Sequence, residues 1–161
     1  MTTLEFCVAR RKAELPAFVR VFKALTQGRL DYQPDPKART AGVLAAVMAA
    51  EEAALVSLLD AGSVDWSDPA PATSVDDVAA AFERNATAVN ERLVKLDEAG
   101  WQKKAQFRMG GAVVWEDAVS EMVWGFLFDE IHHRGQLSTY LRPMGGKVPS
   151  IYGPSADDAG H

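Results

Sequence analysis

Two of the chain's three histidines, His132 and His133, stand side by side in Asp129-Glu130-Ile131-His132-His133-Arg134-Gly135-Gln136. On a helix, neighbours point about 100° apart while residues four apart share a face, so the two imidazoles do not serve one ion. His133 pairs instead with Asp129. A neutral imidazole and a carboxylate one turn apart can converge on a divalent cation such as zinc or nickel, and a helix bundle supplies the third ligand from a facing helix. Glu51 and Glu52 sit mid-way along an otherwise apolar run and are the candidates. Glu51, one turn after Val47 and one turn before Leu55, lies on the stripe that faces inward. A second reading stays open, in which both glutamates face water and His133 is a core histidine bonded to Asp129. Arg134 can grip an anionic substrate through its planar fork, or pair with Glu130 one turn back. Arg134 and His132 are the candidate catalytic residues, and His133, Asp129 and Glu51 the candidate metal ligands.

Helices must position these groups. Apolar residues at Phe6, Val8, Leu15, Phe18, Val19, Phe22 and Leu25 follow the helical period to a stop at Gly28; Pro16 either starts this helix or interrupts a longer one. Asp31 to Pro36 is an extended connection, because two prolines in three positions exclude helix. Thr40 caps a second helix to about Ala61, ended by Gly62. Gly62 to Thr73 reads as a connection pinned by Trp66. Ser74 with Asp76 and Asp77 opens a third helix, running to roughly Ala99 before Gly100. Trp101 to Val114 reads as a loop with an extended strip, turning at Gly110-Gly111. The fourth helix starts between Glu116 and Ser120 and runs to about Arg142. Gly135 inside it implies a close helix crossing, since glycine there costs about 1 kcal/mol relative to alanine. Trp115, Trp124, Phe126 and Phe128 read mainly as core, with a pocket wall or dimer face as the lesser alternative. The expected fold is all-α, a four-helix bundle over residues 1–145 with an extended tail over 146–161 that packs through Ile151 and Tyr152 and frays from Ser155.

Composition narrows the function. A net charge of -5 and a pI near 5.2 leave no basic surface for nucleic acid or an anionic membrane. Cys7 is the only cysteine, so an intrachain disulfide and a cysteine-zinc cluster are excluded and a reducing compartment is expected. Glu5 lies where a signal peptide would be basic, and no apolar run is expected to reach the roughly 20 residues that span a bilayer. These features predict a cytoplasmic protein.

The stretches Asp31 to Thr40, Ile131 to Arg142 and Val148 to Ser155 resemble the DinB/YfiT-like family of metalloenzymes, with His133-Arg134-Gly135-Gln136 the most specific element. That family is unrelated in mechanism to the polymerase sharing the DinB name. The resemblance implies a four-helix bundle, often a homodimer, with a divalent metal on one histidine of the second helix and two histidines four apart on the fourth. Relatives include thiol-dependent transferases and isomerases that use mycothiol or bacillithiol. His133 matches the last of these ligands. Asp129 replaces the earlier one, and Val47 or Met48 stands where the second-helix histidine would be. The resemblance implies a metal-dependent enzyme acting on a small molecule, transferase, isomerase or hydrolase, in stress response or detoxification, with a low-molecular-weight thiol as partner. The alternative is a noncatalytic stress-associated binding protein with a degenerate site.

Overall fold

The computed structural model describes residues 1–160; the expectation for the terminal His161 lies outside them. Helix α1, Thr3–Lys23, starts on a reciprocal cap in which the Thr2 hydroxyl accepts from the Glu5 N–H and the Glu5 carboxylate accepts from the Thr2 N–H. It continues through Pro16, so the longer of the two expected helices forms. Buried residues on both sides of the proline, Cys7 and Val8 before it and Phe18, Val21 and Phe22 after it, hold the helix together across the missing hydrogen bond.

Helix α2, Ala41–Ala61, begins where Thr40 accepts from the Val43 N–H and ends at Gly62, whose φ of 72° is the left-handed conformation a glycine adopts without cost. Its most apolar 18-residue window has a mean hydropathy of 1.8, long and apolar enough by composition to cross a bilayer. That corrects the expectation that no run reaches this length. In the fold α2 is a core helix, with 67% of that window buried.

Helix α3, Val75–Leu93, starts at Ser74 as expected but ends before Ala99. The chain breaks after Leu93 to form a separate turn, α4, Glu98–Trp101, capped by Asp97. Burial of Trp101 drives the break: its ring is in the core, with its indole N–H donating to Thr3 Oγ1. Helix α5, Val119–Tyr140, carries the histidines.

The protein is not purely α-helical, which corrects the all-α expectation. Three strands, β1 (Ser63–Trp66), β2 (Lys104–Met109) and β3 (Ala112–Ala118), form a small sheet in that order. β2 and β3 are an antiparallel hairpin turned by Gly110 and Gly111, both at positive φ, and β1 runs parallel to β2. Strand β1 lies inside what reads as a loop, because four residues are too few to show alternation.

Two hydrophobic clusters fill the bundle, one around Phe18, Phe22 and Phe82, the other around Leu58, Leu93 and Trp101. Along α2 the first ends at Ala49 and the second resumes at Ala54. Glu51 and Glu52 occupy the gap.

The tail is more ordered than expected. Asp157 accepts from the Val148 N–H and the Arg142 guanidinium, and the Ser155 hydroxyl donates to the Val148 carbonyl, folding Ser155–Gly160 back on the segment before it. No close crossing occurs at Gly135, where an added Cβ would meet nothing within 4 Å. Within α5 the crowded glycine is Gly125, where a Cβ would lie 2.8 Å from Trp115 Cη2.

Candidate metal centre

Glu51 from α2 and Asp129 and His133 from α5 offer ligand atoms that all lie within 4.8 Å of one another. His133 Nε2 is 3.4 Å from Asp129 Oδ2 and 3.8 Å from Glu51 Oε1. Glu51 and His133 are buried; Asp129 is half exposed. Of the two adjacent glutamates, Glu51 is the one at the imidazole.

The imidazole is oriented from both sides. His133 Nδ1 is 3.0 Å from Gln136 Oε1 and Nε2 is 3.5 Å from Arg39 Nη1. A carbonyl oxygen only accepts, so Nδ1 carries the proton, and Nε2, beside the carboxylates, is the nitrogen left with a lone pair. This is the tautomer that a metal-ligating histidine adopts.

Burial, with a further push from neighbouring Asp129, raises the Glu51 carboxyl to about 9. Glu51 Oε2 is buried and accepts no hydrogen bond. A divalent ion matches this donor set. Ligands held at about 2.0–2.2 Å around a tetrahedral ion stand roughly 3.4 Å apart, close to the two imidazole–carboxylate separations, and the three atoms together lie within 4.8 Å.

The site opens to a cavity of about 380 Å³ walled by Trp66, Phe107, Trp115 and Phe126, with Glu51 and Asp129 at its polar end. The wall is built by β1, the hairpin and α5. Trp115 and Phe126 therefore follow the pocket-wall alternative, while Phe128 is mostly exposed.

Behind this site lies a second polar cluster. Arg11 Nη2 donates to both oxygens of Glu52 at 2.6 Å, and Arg11 Nε donates to Asn90 Oδ1. Glu130 is fully buried with neither oxygen hydrogen-bonded to a donor; burial raises its carboxyl well above the usual range, and the charge of Glu52 adds to the effect.

The two candidate catalytic residues fall elsewhere. Arg134 points to α1 and the tail, donating to Glu14 Oε2 at 2.6 Å and to the Tyr152 hydroxyl, and lying over the Phe18 and Tyr152 rings. Its partner is Glu14, not Glu130. His132 is exposed, its ring centroid 5.5 Å from that of His133, and it adds no ligand atom to the cluster. Sequence reading missed Arg39, which precedes the α2 cap and follows no periodic pattern. It also missed Arg11, although Cys7, Arg11 and Leu15 at four-residue spacing mark that arginine as a stripe residue.

These features define a helix bundle with a small sheet and a buried histidine-carboxylate cluster capable of holding a metal. The chain belongs to the DinB family, whose model matches residues 16–160. Among solved structures it is similar to a DinB-like protein from Bacillus cereus ATCC 10987, at 20% identity and a TM-score of 0.76, over 92% of this chain and 97% of the other. A DinB-like protein from Bacillus subtilis matches at 14% identity and a TM-score of 0.68, covering 90% and 96%. A mycothiol-dependent maleylpyruvate isomerase shares the fold at 14% identity and a TM-score of 0.58, over 92% of this chain and 65% of that one. No functionally curated protein matches the sequence.

Proposed function

We propose that the protein is a metal-dependent enzyme acting on small molecules, of the thiol-dependent transferase or isomerase type or a hydrolase, with Glu51, Asp129 and His133 holding a divalent ion such as zinc. The convergence of these three groups at the polar end of an aromatic-walled cleft carries the reading. Likeness to a mycothiol-dependent isomerase supports the thiol-dependent branch at the level of fold. A bound divalent ion would supply Lewis acidity toward a thiol, water or carbonyl.

The chain's own residues do the rest. Gln136 fixes the tautomer of His133 and so presents the Nε2 lone pair. Asp129 supplies negative charge that favours a cation, and Glu51, raised by burial, adds its own once an ion displaces its proton. Arg39, the cation at the imidazole, gives an anionic substrate group a partner. The aromatic walls flank the site, and the burial of Glu51 and His133 strengthens the charge interactions between them.

Elemental analysis of protein purified without a histidine tag, then reconstituted with zinc, tests the proposal. One ion per chain is expected, with loss of that ion in His133→Ala. Metal-free wild type after reconstitution, or full retention by the variant, overturns it and leaves a noncatalytic binding protein.

A further inference from the structure

The cavity beside the centre has a wall chemistry of its own. Four aromatic rings run on from one another: Trp66 and Phe107 centroids are 6.0 Å apart, Phe107 and Phe126 5.8 Å, and Trp115 and Phe126 6.4 Å with planes inclined by 22°. The polar side chains lining the cavity are Glu51 and Asp129, both at the centre. A polar body such as a sugar would leave its hydroxyls unpaired against the rings, at a cost of about 1–3 kcal/mol for each one buried. An apolar cavity of about 150 Å³ holds one benzene. The volume of about 380 Å³ here is room for one or two rings.

Charge selects the other end of the ligand. Two carboxylates cancel a divalent cation, an imidazole ligand adds no charge, and the exposed Arg39, 3.5 Å from His133 Nε2, puts a positive charge beside the centre. An anionic head is therefore favoured where the metal and Arg39 lie, and an aryl body along the wall.

Resting on the metal-centre reading for the head alone, we propose that the site takes aryl compounds carrying an anionic, metal-ligating group, a carboxylate or a thiolate, with the ring seated against Trp115 and Phe126. Gly125 sets the position of the wall. Its lack of a side chain admits the edge of the Trp115 indole against α5, and an alanine there would put a Cβ 2.8 Å from Trp115 Cη2 and displace the ring.

Two hydroxamates that share a head and differ in body separate the contributions. On zinc-loaded protein, calorimetric titration is expected to show benzohydroxamate binding at least about tenfold tighter than acetohydroxamate, the ratio that about 1.4 kcal/mol of ring burial produces. Trp115→Ala and Gly125→Ala should each erase that preference and leave acetohydroxamate and zinc affinity in place. Equal affinities for the two hydroxamates, or an aryl preference surviving both substitutions, overturns the proposal. A third arm needs no metal. Toluene should raise the unfolding midpoint of the metal-free wild type by mass action and shift Gly125→Ala less. Failure of toluene to stabilise the wild type overturns the aryl cavity, whereas failure to bind zinc with toluene binding intact overturns the metal centre alone.

Discussion

Replacing Arg11 with methionine should destabilise the fold strongly. The guanidinium and the Glu52 carboxylate are each about 2% exposed, in contact at 2.6 Å through both carboxylate oxygens, so solvent does little to screen the pair. Methionine fills much the same volume but leaves Glu52 charged, buried and next to Glu130, which has no donor of its own. Breaking one partner out of such a pair costs about 3–5 kcal/mol. For 161 residues and about 2.1 cal/mol/K of unfolding entropy per residue, that corresponds to a midpoint lowered by roughly 9–15 °C. Scanning calorimetry and urea unfolding at pH 7 measure it. The double variant Arg11→Met/Glu52→Gln removes both charges and should recover at least half the loss, because a buried ion pair replaced by neutral groups is often close to neutral in stability. A single variant within about 1 kcal/mol of wild type, or a double variant that falls further, would refute the view that Arg11 acts by compensating buried charge.

The same geometry sets three further outcomes. Arg134→Ala should cost about 3 kcal/mol by removing the partner of Glu14, yet leave zinc affinity unchanged, since Arg134 faces α1 and the tail; urea unfolding and zinc titration read the two effects separately. Gln136→Leu should lower zinc affinity by about tenfold or more with little loss of fold, as removal of a histidine-orienting partner does, and a competitive chelator assay measures it. Burial pushes the Cys7 thiol up to about 11 from 9.0, with the Arg11 charge partly opposing, so a thiol reagent should label the native protein negligibly at pH 8. Because the folded pKa is raised, the stability that the protonated thiol contributes is full below pH 9 and lost as pH climbs through 11. Cys7→Ala should remove that alkaline decline in urea unfolding.

Much of the bundle was legible because helix signals are local. Thr40 and Gly62 bound α2, and Ser74 opens α3, through side chains and a glycine conformation that act within one turn. The sheet was not, because a parallel partner for β1 lies some forty positions along the chain and no local pattern announces it. The three candidate ligands could be placed together because a four-residue spacing on one helix and an inward stripe on another are geometric constraints. Arg134 illustrates the limit: its neighbour in sequence, His133, reaches the site, while a rotation of about 100° sends the guanidinium to Glu14 on α1. Adjacent positions on a helix serve different faces, so nearness in sequence is no guide to a shared site.

The exchange of imidazoles for carboxylates has a consequence for chemistry. A set of three neutral histidines, as the family resemblance implied, would leave a dication's full charge at the site, and that charge is what acidifies a bound thiol or water. With Glu51 and Asp129 as ligands the charge is cancelled, and oxygen donors favour harder ions than imidazoles do. The positive charge that remains is on Arg39, which the turn leading into α2 places 3.5 Å from His133 Nε2. In the proposed centre, recognition of an anion thus passes from the ion to a side chain outside the ligand set. Val47 and Met48 are buried in the core, so α2 provides its ligand one turn further on at Glu51, from a side chain long enough to reach the imidazole. In the proposed enzyme the cavity, built from strands that the four long helices do not require, would then distinguish one small molecule from another.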